Sequence, residues 1–185
     1  TLLLFSFAVG PNHFILSKLS SGFLWLAILL ASLLRVNGSM QHEQENNAIE
    51  GLRLLRIDMR ALFVAKAALN SFFLAILAII LVPLLVVLYG VEIRGNIAFL
   101  PLIILLGSSA LGTPATIYAS MAMHAKSKDV LLPMLLFPIV VPSLLALVRA
   151  TDLVLLGDGM NELKPWLQFL CGVNAIYWAL GLLLF

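Results

Sequence analysis

The chain has 185 residues, of which 62% are hydrophobic and 11% charged, with a formal net charge of +2 and a mean hydropathy of +1.10. Soluble domains are roughly 45–50% apolar and about 25% charged, so this composition excludes an ordinary soluble fold and requires lipid to cover apolar surface. The small net charge gives no basis for nucleic-acid binding, and the single cysteine, Cys171, excludes an internal disulfide.

A spanning helix needs about 20 mostly apolar residues to cross roughly 30 Å of hydrocarbon. Residues 1–9 (TLLLFSFAV) are too short for that and predict the end of a first span, closed by Gly10, Pro11 and Asn12. Further spans are expected at about 20–36, 67–89, 97–121, 130–148 and 166–185. The fold class is therefore an all-α polytopic membrane bundle of six transmembrane helices, the first incomplete. The chain runs into apolar residues directly after Thr1 and is still apolar at Phe185, with no basic stretch ahead of the first run. Both ends read as cuts, so a fragment of a longer protein is expected.

Six prolines, Pro83, Pro101, Pro114, Pro133, Pro138 and Pro142, fall in or near the spans. Each interior proline would cost a soluble helix about 3 kcal/mol, whereas neighbouring membrane helices can re-satisfy the freed carbonyls. With Pro133, Pro138 and Pro142 in one span, the fifth is expected to be bent or locally broken. These three and Gly112 are the hinge candidates, the bland alternative being ordinary kinking. Gly107, Ser108, Ser109, Ala110 and Gly112 form a small-residue face in the fourth span, suited to close helix packing or, alternatively, to a substrate path.

Lys and Arg divide unevenly between the two sides. Arg35, Arg53, Arg56, Arg60, Lys66, Lys126 and Lys128 lie on one, and Lys18, Arg94, Arg149 and Lys164 on the other. The richer side, holding the 36–66 and 122–129 loops, is expected in the cytoplasm. Residues 37–66 form its one long polar stretch. Its first part is acidic, with Glu43, Glu45 and Glu50. Its second part has helical period, with Leu52, Leu55, Met59, Leu62 and Phe63 on one face and Arg53, Arg56 and Arg60 beside them. An amphipathic basic helix of this kind can lie on the inner leaflet, dock a cytoplasmic partner, or link two spans.

No catalytic constellation is present. The sequence lacks a phosphate-cradling GxxxxGKS or GxxxxGKT loop as well as HExxH, GxSxG and CxxC. His13, His42 and His124 fall in separate loops, the first on the side opposite the other two, so no shared metal site is expected. The spans as drawn contain almost no ionisable groups, which disfavours an ion-coupled transporter. The chain reads as a non-enzymatic membrane component.

Four stretches, taken in order, resemble the haem exporter protein B (CcmB) family. They are the acidic-then-basic block from Glu43 to Lys66, with Glu50, Gly51, Leu52 and Lys66 at matching places; Leu111-Gly112-Thr113; the run from Lys128 to Pro142 with its three prolines; and the closing apolar span to Phe185. The resemblance covers nearly the whole chain. It implies a permease subunit of an ABC complex of the type-2 exporter kind, in two copies, in the bacterial inner membrane and serving cytochrome c biogenesis. A separate ABC ATPase would hydrolyse ATP, and another membrane subunit would handle haem. Glu43, Glu45, Glu50, Arg53, Arg56 and Arg60 would then be the ATPase contact. No haem ligand is identified. The role would be haem export or ATP-driven release of a haem-loaded chaperone. A lipid- or drug-exporting type-2 permease and a non-transporting assembly scaffold are the alternatives. The family also has an amino-terminal amphipathic segment and a short carboxy-terminal tail that these residues do not include.

Overall fold

The computed structural model describes residues 2–10, 13–45, 59–91, 93, 95–122, 128–157 and 162–184. Among them are six α-helices and one 3-10 turn: α1 (Leu2–Val9), α2 (His13–Glu45), α3 (Met59–Tyr89), the turn Ile97–Phe99, α4 (Leu100–Ala122), α5 (Lys128–Leu156) and α6 (Leu163–Leu184). Five stretches are long and apolar enough to cross a membrane: Ile15–Arg35, Arg60–Tyr89, Ile97–Ala119, Pro138–Leu156 and Leu163–Leu184. The chain is an all-α, multi-pass membrane protein.

The helices run up and down, so α1–α2, α3–α4 and α5–α6 connect at one end, here called the short-loop end. Each connection there carries a glycine at positive φ: Gly10 (77°), Gly90 (61°) and Gly157 (108°). Two of them close helices. The N–H of Val91, just past Gly90, donates to the Val86 carbonyl at 3.3 Å, and the Gly157 N–H donates to Leu153 at 3.1 Å. Both patterns satisfy last-turn carbonyls and need a left-handed residue that glycine adopts without a Cβ clash. Asn96 starts the 3-10 turn by accepting the Ala98 N–H at 3.0 Å.

Helix α4 is the centre of the bundle, packed against α2, α3, α5 and α6. It can be central because it is thin. Residues 110–117 are buried without a break and include Ala110, Gly112, Thr113 and Ala115. The small-residue face is used for packing. A Cβ on Gly107 would overlap the Trp25 ring and Leu147, and one on Gly112 would crowd Ser71.

Three expectations change. Residues 37–45, expected as loop, continue α2, whose Gln and Glu side chains are good helix formers. Residues 59–66 are not a separate surface helix: they are the first turns of α3, continuous with the span. Phe63 there is 2% exposed and meets α6, so its apolar face packs on protein rather than lipid. Third, α5 is unbroken from Lys128 to Leu156, through Pro133, Pro138 and Pro142, as α3 and α4 are through Pro83 and Pro114. The local break is therefore absent. A proline removes one donor and crowds one carbonyl, which bundle neighbours tolerate. The helix also runs past the expected end of the span at 148, and its apolar stretch continues to Leu156, which brings Arg149 and Asp152 onto it.

Candidate functional site

The chemistry of the bundle divides into an uncharged polar seam along its interior and a charged cluster at the short-loop end. The seam ties helices together through carbonyls and hydroxyls. Asn70 donates to the Gly112 carbonyl at 3.1 Å, joining α3 to α4. Asn174 donates to Leu106 at 3.0 Å and Leu170 at 2.9 Å, joining α6 to α4. The Trp178 indole N–H donates to Ser109 Oγ at 2.9 Å. The Tyr177 hydroxyl donates to the Ile139 carbonyl at 2.6 Å and lies 3.0 Å from Ser143 Oγ, so α6 grips α5 on either side of Pro142. Within α4, Ser108 and Thr116 turn back onto the carbonyls of Ile104 and Gly112.

The charged cluster is built by α2, α5 and the start of α6. The Ser21 hydroxyl donates to Asp152 Oδ1, 131 residues away. One turn deeper, the Trp25 indole N–H donates to Thr151 Oγ1 at 2.9 Å, with both residues buried. Beside this double tie lies a cavity of about 260 Å³ lined by Arg149, Asp152, Leu153, Glu162 and Trp166. The Gly95 turn presses on its flank, where a Cβ would overlap the Val154 carbonyl. An ionised carboxylate within an apolar span is costly and marks a functional site by default.

The sequence reading missed this cluster because it ended the fifth span at residue 148, assigning Arg149 to a loop. The signal that could have found it is the apolar run Leu153–Leu156 beyond Asp152, which continues the span past the charges. Of the expected partner-binding residues, Glu43 and Glu45 fall on the last turn of α2 and Arg60 is exposed in the first turn of α3. Glu50, Arg53 and Arg56 lie outside the described residues. Of the hinge candidates, Pro138 and Pro142 are exposed on α5, Pro133 lies in the same helix, and Gly112 is buried at the α3–α4 crossing. The backbones of His13 and His42 stand near opposite ends of α2, about 44 Å apart at 1.5 Å per residue. Among the described residues no group of three or more His, Cys, Asp or Glu is placed to hold a metal.

Five membrane-length helices, four of them packed about the thin α4, define a multi-pass helical membrane protein. The chain belongs to the CcmB protein family, which it matches over residues 1–183. It is 30% identical over 169 residues to "Heme exporter protein B" of Rhodobacter capsulatus, covering 91% of this chain and 76% of that protein. It is 28% identical over 180 residues to the protein of the same name from Bradyrhizobium diazoefficiens (97% and 80%), and 31% over 142 residues to that of Pseudomonas aeruginosa (77% and 63%).

Proposed function

We propose that this protein is the membrane subunit of a bacterial haem export system of cytochrome c biogenesis, embedded in the inner membrane and driven by a separate ABC ATPase. The observation that carries this reading is the match along nearly the whole chain to relatives named for haem export. The sequence supports the division of labour, since its 185 residues hold no phosphate-binding loop. Two copies form the membrane part, and another membrane subunit handles haem. ATP binds the partner ATPase, and haem is cargo rather than a resident cofactor.

The interior of a single copy favours a mechanical role over passage of haem through it. Trp25, Asn70, Asn174 and Trp178 spend donors on helix-to-helix bonds, and Gly107, Gly112 and Gly181 are covered by Trp25, Ser71 and Phe63, although the buried hydroxyls of Ser32, Ser71 and Thr113 have no hydrogen-bond partner among the described residues. ATP-driven movement would then be relayed to the haem-handling subunit to release a loaded chaperone. The ATPase contact is the end of α2 and the 43–60 segment, with Glu43, Glu45, Glu50, Arg53, Arg56 and Arg60. The test is purification of the full-length protein with its ATPase. Reversing Arg53, Arg56 and Arg60 to Glu should weaken co-elution and lower ATP turnover. Unchanged co-elution and turnover would overturn the ATPase assignment.

A further inference from the structure

The cavity at the short-loop end has a charge pattern that the haem export reading does not use. Among the described residues its lining carries one cation, Arg149, two carboxylates, Asp152 and Glu162, and the indole of Trp166. The Ser21 hydroxyl occupies Asp152 Oδ1, but an ionised carboxylate offers about four acceptor sites, so one hydroxyl leaves capacity to spare. The depth of the site is fixed by the helix ends. Leu156 ends α5 and its apolar stretch, and Leu163 begins α6 and its own. Asp152 lies about 6 Å and Arg149 about 10 Å inside the end of α5, at 1.5 Å per residue. The head-group layer on each side of a bilayer is roughly 5–7 Å thick, and Trp is enriched at that level. From Glu162 at the helix end through Asp152 to Arg149, the charges therefore cross the head-group layer and reach just past its boundary with hydrocarbon, where a free solute is scarce and lipid is abundant.

We propose that the cavity lined by Arg149, Asp152, Glu162 and Trp166 binds the head group of a zwitterionic aminophospholipid such as phosphatidylethanolamine. The phosphate pairs with the Arg149 guanidinium. The ammonium sits towards Asp152 and Glu162, against the electron-rich face of Trp166. The volume of about 260 Å³ suits a head group and is too small for a drug-sized ligand. Among the described lining residues, two carboxylates against one guanidinium disfavour phosphatidylglycerol, whose head group brings a negative charge and no ammonium. Occupancy by lipid would brace α5 against α6 beside the tie to α2.

Native mass spectrometry of the purified full-length protein, exchanged into equal amounts of phosphatidylethanolamine and phosphatidylglycerol, tests the assignment. The expected result is one retained phosphatidylethanolamine per chain. Glu162→Gln, at an exposed position, and Arg149→Gln should each lower retention roughly tenfold, the loss expected for one hydrogen bond to a charged group. Asp152→Asn should do the same; Glu162→Gln decides alone if that variant does not fold. Equal retention of both lipids, or unchanged retention in the variants, overturns the proposal. So does equal retention of glycerophosphoethanolamine, which lacks acyl chains and would make the ligand an aqueous one. Loss of an outer protein partner on Glu162→Arg, with lipid retention unaffected, would assign the cavity to a basic protein segment instead and overturn it likewise.

Discussion

At the scale of single residues, Trp25 shows how polar and steric terms combine. Its ring is 1% exposed, lies where Gly107 has no side chain, and reaches Thr151 with its N–H. Gly107→Val must displace the ring or push α4 away from α2, which costs about 1–3 kcal/mol by overpacking. The expected readout is a lower midpoint of thermal unfolding in detergent, with Gly172→Val, which meets nothing nearby, as the neutral control. For the hydrogen bond, a double-mutant cycle of Trp25→Phe and Thr151→Val should give a coupling of about 0.6 kcal/mol, and not above about 1.7. Interhelical bonds in membranes reach only that range, since the unfolded state in lipid also finds partners. The sequence made half of this legible. The run Gly107 to Gly112 announces a close-packed helix, and α4 is one. The partners of Gly107 and of Trp25 did not follow from it, because they come from positions up to 126 residues distant and a helical pattern names a face without naming its neighbour.

At the scale of elements, boundaries were harder to read than existence. Five of the apolar runs became membrane-length helices where hydropathy placed them, but the polar flanks misled. The acidic stretch at 37–45 looked like a loop because polarity and helix propensity point different ways there; propensity prevails, and α2 goes on to Glu45. Arg149 looked like the end of a span, but a helix tolerates a charge near its end when a partner or the interface receives it. The proline-rich helix α5 bears on mechanism. Pro138 and Pro142 are exposed, so replacing both by Ala removes no buried packing and restores two backbone donors. The double variant should keep its helical circular dichroism, because α5 is already continuous. If α5 flexes during the cycle, haem-stained c-type cytochromes in a complemented strain should fall with protein level unchanged. Full cytochrome yield would mean that the prolines serve packing alone.

At the scale of the whole molecule, α2 is one continuous helix that reaches from one end of the protein to beyond the other end of the span. Its apolar stretch ends at Arg35, whose guanidinium lies over the Phe73 ring at 3.6 Å, yet the helix continues for ten more residues to Glu45. Those residues extend about 15 Å beyond the span. At its other end the same helix carries Ser21 and Trp25, tied to α5. If a partner pushes on its projecting end, a rigid helix would tilt at the opposite end, where the tie to Asp152 and Thr151 would pass the tilt to α5. Breaking the rod outside the membrane should therefore separate partner contact from fold. Met40→Pro removes one backbone donor and sets the ring against the carbonyl of Val36, at a local cost of about 3 kcal/mol. Insertion and thermal stability of the span should be preserved, since the apolar run is untouched. Co-elution of the ATPase and its turnover should fall together, as with the arginine reversals. A variant that keeps the ATPase but loses cytochrome assembly would instead place the rod in transmission rather than docking. Normal co-elution with normal cytochrome yield would show that the projecting turns of α2 take part in neither.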